Sequence, residues 1–255
     1  MKWYGQLAQM GTFSRDELTR TLQVPYKTVD SLIYNYRKKQ YIDKIRPDRY
    51  VALSFETPGT PMLNRYQIAS QLFPDAVVAY HSALEVHGLA NQIYNVVYLF
   101  SKHRFKPFDY DSVQYIGVIP KVTPKTQSQN KITVTTLEQT VIDSIDALEK
   151  ISGVEEIYKA MEICPSLDPD EILEILDNYH NKFLYQKTGY ILESFNSNLN
   201  LPDWFFSECY KHIGSSKKPL VKDETQYPLN KRWRVYAQPV RDALSKGVPY
   251  DLDLR

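Results

Sequence analysis

A chain of 255 residues is long enough for more than one core, and two domains is the expectation from length. Two cysteines, Cys164 and Cys209, exclude a disulfide framework and a cysteine-built metal site, and no apolar run is long enough to span a bilayer. The formal net charge of +1 conceals an uneven distribution: residues 1–55 hold ten Lys or Arg against five Asp or Glu, and residues 135–200 hold four against thirteen.

In chain order, the first predicted element is a helix opened by Ser14-Arg15-Asp16-Glu17. This is capping-box spacing, in which the serine hydroxyl and the glutamate carboxylate each satisfy an orphan backbone amide. Gln23-Val24-Pro25 breaks that helix near Leu22, and the proline opens the next. From Pro25 to Lys39 the apolar residues Val29, Leu32, Ile33 and Tyr36 follow the helical period and bury one stripe. Tyr26, Lys27, Thr28, Asp30, Ser31, Tyr34 and Lys38 occupy the other face. Tyr41-Ile42-Asp43-Lys44-Ile45 and Tyr50-Val51-Ala52-Leu53 flank the turn Arg46-Pro47-Asp48-Arg49 and predict a hairpin.

Helix, turn, basic helix and hairpin in this order are the plan of a winged helix-turn-helix, expected over residues 1–56. In such a module Lys27, Arg37, Lys38, Lys39, Arg46 and Arg49 would neutralise phosphates. Tyr26, Lys27, Thr28, Ser31 and Tyr34 would reach base edges or a thymine methyl. Asp30 on the same face sits awkwardly beside phosphate. The competing reading is a small helical domain with a solvated charged face.

Glu56-Thr57-Pro58-Gly59-Thr60-Pro61 reads as a junction, after which residues 62–255 are expected to form a mixed α/β domain. A helix is predicted over Asn64–Leu72 and a short one over His81–His87, ended by Gly88. Strands are predicted at Ala76–Tyr80, Asn95–Phe100, Val113–Ile119 and Ile132–Val134, so that residues 76–134 hold a small sheet. Residues 136–195 predict acidic helices opening at Thr136, Ser152 and Asp168-Pro169, with a further helix from Lys182 to Phe195. These would form a bundle that faces away from DNA or toward another protein. In the tail, 201–255, Trp204–His212 predicts a helix and Ser215–Pro219 a loop. Lys231-Arg232-Trp233-Arg234-Val235-Tyr236 alternates basic and aromatic residues. It reads equally as a nucleic-acid surface or as an edge strand that carries arginines outward. The fold class expected overall is α+β.

Motifs of catalysis are missing. The nine glycines make no phosphate-cradling loop, and there is no GxSxG elbow or HExxH helix. His81 and His87 are six residues apart and read as structural histidines, not metal ligands. Glu138 and Asp143, five apart on one helix, are poorly aligned for acid–base work. Asp109, Asp111 and Lys121 make only a loose nuclease-like set, and His103-Arg104-Phe105-Lys106 is a basic loop. A non-enzyme without cofactor or metal is expected. Lacking an apolar h-region, the chain is expected in the cytoplasm with no membrane partner.

Four stretches together are similar to one family. Tyr41–Ile45 with Tyr50–Leu53 looks like its wing. Ala79-Tyr80-His81-Ser82-Ala83-Leu84-Glu85-Val86-His87-Gly88-Leu89 looks like its Ser-Ala-Leu…His-Gly-Leu signature. Ile132 to Asp143 resembles its strand-then-helix segment, with Gln139 where arginine is usual, and Tyr179 to Glu193, ending in Gly189-Tyr190-Ile191-Leu192-Glu193, resembles its closing helix. The chain thus resembles the AbiEi antitoxins of type IV toxin–antitoxin, abortive-infection systems over most of residues 10–195. That resemblance implies a repressor of its own promoter, bound as double-stranded DNA at inverted repeats. It further implies an antagonist of a co-encoded nucleotidyltransferase-like toxin that acts without a stable complex. The alternative expectation is an interaction module that docks a basic toxin or other partner through its acidic helices.

Overall fold

Capping signals mark the helix starts in this computed structural model, which describes residues 2–222 and 225–245. Helix α1 (Tyr4–Met10) and a two-residue strand β1 (Thr12–Phe13) precede α2 (Arg15–Leu22). The Ser14–Glu17 capping box is formed as its spacing predicts: Ser14 Oγ accepts the Glu17 N–H at 3.2 Å and Glu17 Oε2 accepts the Ser14 N–H at 2.6 Å. Gln23 ends α2 in the left-handed conformation, φ 54°, and Pro25 leads into α3 (Tyr26–Lys38). Strands β2 (Ile42–Arg46) and β3 (Arg49–Ala52) form the hairpin, with Asp48 at φ 54° in its turn. The expected two-stranded hairpin is a three-stranded sheet, because β1 pairs antiparallel with the free edge of β3. Leu7, Phe13, Leu18, Leu22, Val29, Leu32, Ile33, Ile42 and Tyr50 close one core.

Helix α4 (Arg65–Ser70) follows, opened by an Asn64–Gln67 capping box. A six-stranded sheet is built from β4 (Val77–Val78), β5 (Val96–Phe100), β6 (Phe108–Tyr110), β7 (Val113–Val118), β8 (Thr126–Gln129) and β9 (Ile132–Thr135), in the order β6-β7-β5-β4-β9-β8. Strands β5 and β7 are parallel, as are β4 and β9. Strands β6 and β8 have no counterpart in the predicted set. Both are polar or short, with too little β-branched content to stand out.

The remaining helices are α5 (Tyr80–Val86), α6 (Leu137–Asp146), α7 (Val154–Ile163), α8 (Pro169–Tyr179), α9 (Lys182–Ser194), α10 (Asn196–Leu199), α11 (Asp203–His212) and α12 (Val240–Ser245). Thr136, Asp168 and Asn181 cap α6, α8 and α9 with their side chains. Lys218–Pro219 is strand β10, where a loop is predicted. It pairs parallel with β12 (Val235–Tyr236), whose other edge takes β11 (Leu229–Asn230).

The described residues divide into two compact units. One comprises the described residues of 1–78, 94–119 and 128–134; the other comprises those of 79–93, 120–127 and 135–255. This partition differs from the boundary expected near residues 56–62, since most of the sheet joins the first unit. Long-range bonds account for it. Gln71 accepts the Thr12 N–H through Oε1 at 3.0 Å and the Thr12 hydroxyl through its carbonyl at 3.0 Å, and Arg65 donates to the Tyr94 carbonyl at 2.6 Å.

Candidate nucleic-acid interface

The register of α3 settles which of its side chains face water. Val29, Leu32 and Ile33 are buried and Tyr36 is partly so. Directly opposite, at the i, i+4, i+7 and i+11 spacing that a helix stacks into one line, stand Lys27, Ser31, Tyr34 and Lys38. All four are exposed, Tyr34 to 67%. Ser31 Oγ donates to the Lys27 carbonyl at 3.0 Å and keeps its acceptor lone pairs outward. Among the described residues Lys27, Thr28, Arg37, Lys38 and Lys39 make no side-chain hydrogen bond or ion pair. Arg37 and Lys38 also complement the C-terminal end of the α3 dipole.

Two residues of this face are tied to α2. The Tyr26 hydroxyl donates to Asp16, which pushes the phenol above its ordinary pKa and removes it as a free donor. Asp30, the misplaced acid, is met by Arg15 at 3.3 Å, so its charge is answered within the protein.

The hairpin arginines are engaged internally. Arg49 lies on Glu17, Nη1 to Oε2 at 2.9 Å, with its side chain only 15% exposed. The Arg46 guanidinium sits over Phe73, Phe105 and Phe108, 5.0, 5.2 and 5.5 Å from the ring centroids. Burial, helped by the neighbouring Arg49 charge, lowers its pKa, and its Nη1 has no hydrogen-bond partner among the described residues. Strict alternation along β2 would carry Arg46 outward with Lys44. A register shift between Lys44 and Arg46 re-aims the strand. The exposed hairpin cation is therefore Lys44, which sequence reasoning passed over because nothing local marks the bulge.

The second unit consumes the acids that gave its segment so much charge. Glu138 accepts the Asp168 N–H at 3.0 Å, Asp168 caps α8, Asp146 pairs with Lys121 at 2.5 Å, and Glu174 with Lys125 at 2.5 Å. Glu193 holds Arg232 at 2.5 Å and the Trp233 indole N–H at 2.7 Å. Glu149, Glu155, Glu162, Asp168, Asp170, Glu174 and Asp177 are nonetheless exposed. His81 is buried between Glu85 at 2.9 Å and Glu156 at 3.3 Å. Burial pushes the Glu156 carboxyl up, but its bonds to His81 and to the Asn91 N–H outweigh that and hold it below its ordinary value. His87 donates to the Thr135 carbonyl at 2.9 Å, and burial lowers its pKa. Asp143 is buried on its own, accepting from Tyr179 at 2.5 Å and Gln139 at 2.7 Å, so it forms no working pair with Glu138. Lys121 is taken by Asp146, which leaves Asp109 and Asp111 without their supposed lysine. Among the described residues no three His, Cys, Asp or Glu side chains group as metal ligands, and no helix is long and apolar enough to cross a membrane.

The tail matches neither of its two readings. Strand β12 is the centre of its sheet, not an edge, and Trp233 is fully buried. Arg234 donates to the Gly214 carbonyl at 2.8 Å. The aromatic is core, and the arginines beside it are clamps.

No family model matches the chain. No curated protein matches it in sequence. Among solved structures it is similar to the crystal structure of the Rv2827c protein from Mycobacterium tuberculosis, at 10% identity and a TM-score of 0.63, over 95% of this chain and 92% of that one. At that identity the likeness speaks to the fold alone, which is mixed α+β over nearly its whole length.

Proposed function

We propose that the first 56 residues are a winged helix-turn-helix and that the protein is a sequence-selective DNA-binding regulator with α3 as its recognition helix. The observation that carries this is the line Lys27, Ser31, Tyr34, Lys38, exposed and unpaired with acids, opposite a fully buried stripe. Lysines give salt-dependent phosphate attraction, and the hydroxyl and phenol between them give groups that discriminate base edges. Thr28 flanks the line; Arg37, Lys38 and Lys39 extend it as a basic end. Arg46 and Arg49 hold the hairpin in place instead of meeting phosphate, and Lys44 takes the wing's cationic role.

On the resemblance to AbiEi antitoxins, the regulated promoter is its own and the regulator is also the antitoxin of a co-encoded nucleotidyltransferase-like toxin. Some carboxylates of residues 135–200 are caps or ion-pair partners within the fold, while seven of the thirteen stay exposed, so an acidic docking face remains the second reading.

The test is fluorescence anisotropy with a duplex from upstream of the gene and a scrambled duplex, over a salt series. Selective binding with a steep salt slope is expected. Equal, weak binding to both duplexes refutes the regulator reading.

A further inference from the structure

The second unit carries a cleft of about 820 Å³, within the size range of small-molecule sites. Helix α9 contributes Phe183 and, one turn on, Lys187; β10 and the residues after it contribute Lys218 and Leu220; Leu148 and the first turn of α7 at Val154 complete the lining used here.

Its charges are unbalanced in one direction. Lys187 is only 7% exposed. Its ammonium donates to the carbonyls of Ile145 and, at 3.1 Å, Asp146 at the end of α6, which leaves the third N–H without a partner among the described residues. Both lysines approach the Phe183 ring, with Lys187 Nζ 5.7 Å and Lys218 Nζ 5.2 Å from its centroid. Lys218 is exposed and has no carboxylate partner among the described residues. Of the acids that line the cleft, Asp146 is neutralised by Lys121 at 2.5 Å and Glu149 by Lys150 at 2.9 Å, which leaves Glu155 against three lining lysines, Lys187, Lys218 and Lys222. Burial lowers the Lys187 amine to about 8, against the opposing pull of Asp146 and Glu149.

We infer that this cleft binds a small organic anion: an apolar or aromatic body that carries one acidic group. The acid meets Lys187 and Lys218; the body lies against Phe183, Leu148, Val154 and Leu220. This site is separate from the α3 reading and does not depend on it.

The experiment is a fluorescence titration of the full chain with anilinonaphthalene sulfonate, beside its uncharged counterpart phenylnaphthylamine. Saturable binding of one sulfonate dye per chain is expected, with the neutral dye bound about tenfold or more weakly. Lys218→Glu, at an exposed position, is expected to keep the circular dichroism spectrum and melting temperature and to weaken the sulfonate by about tenfold or more. Val154→Trp, which fills the cleft, is expected to abolish the signal. If that variant fails to fold, Lys218→Glu and the dye pair decide. Absence of saturable binding to the wild type, equal affinity for the two dyes, or an unchanged affinity in Lys218→Glu overturns the inference.

Discussion

Arg49 and Ser14 share one oxygen. Glu17 Oε2 accepts the Arg49 guanidinium at 2.9 Å and the Ser14 backbone N–H at 2.6 Å, so the cap of α2 is also the anchor of strand β3. Both partners are donors to a single carboxylate, and its removal orphans both. Glu17→Ala is therefore expected to lower the unfolding free energy by about 1–3 kcal/mol. Glu17→Gln keeps a cap acceptor and loses only the ion pair, so it should fall between. Urea unfolding of the two variants checks the order; equal stability of Glu17→Ala and wild type would break the shared-anchor account.

The arginines and lysines of the first unit should separate in a salt titration. Lys27→Ala and Lys38→Ala remove exposed ammonium groups from α3. Each is expected to weaken DNA binding by about 1–3 kcal/mol and to flatten the salt dependence by about one counterion. Arg46→Ala empties the three-phenylalanine cage. It is expected to cost about 1–2 kcal/mol of stability and to leave the salt slope as in wild type. A slope reduced equally by Arg46→Ala would return that residue to the phosphate contacts.

That contrast shows where sequence stops being informative. The capping box at Ser14 and the stripe Val29-Leu32-Ile33-Tyr36 are local patterns, and the helices they predict are present. Arg46 is different. Its partners Phe73, Phe105 and Phe108 are distant in sequence, and a bulge turns it toward them, so no window around residue 46 contains the cause. Helix α1 and strand β1 were also unreadable, because Thr12-Phe13 is a strand only through its pairing with Tyr50 and Val51. Excess acid in residues 135–200 was read as an outward face, and most of it does face outward, but caps and ion pairs within the fold, which no local window shows, engage part of it.

Asp143 predicts a pH dependence of stability. Burial raises its carboxyl from the ordinary 3.8 to about 7 against the bonds from Tyr179 and Gln139, and its Oδ2 has no partner among the described residues. The folded state then holds a proton that the unfolded state has released between 3.8 and about 7. Stability from this group is complete below the unfolded value and is lost as pH rises through the folded one, with a slope of up to about 1.4 kcal/mol per pH unit. Asp143→Asn keeps an acceptor for Tyr179 and Gln139 and should remove that slope. Chemical denaturation at a series of pH values reads it; a variant with the wild-type slope would assign the titration elsewhere.

Gly189 makes room for Trp233. A Cβ at residue 189 would lie 2.2 Å from the indole Cζ3, and that ring is fully buried, with its N–H held by Glu193 at 2.7 Å. Alanine ordinarily improves a helix interior by about 1 kcal/mol over glycine. Here overpacking should win, because the buried indole is held against α9 by its hydrogen bond to Glu193. Gly189→Ala is expected to destabilise by about 1–3 kcal/mol. Trp233→Phe shortens the ring and should recover part of that loss when combined with Gly189→Ala, although alone it leaves a cavity and an unpaired Glu193 oxygen. A double-mutant cycle from urea unfolding measures the coupling. A stabilising Gly189→Ala, or additive effects of the two changes, would mean that β12 can lift from α9 without strain and that the tail is not locked to this helix.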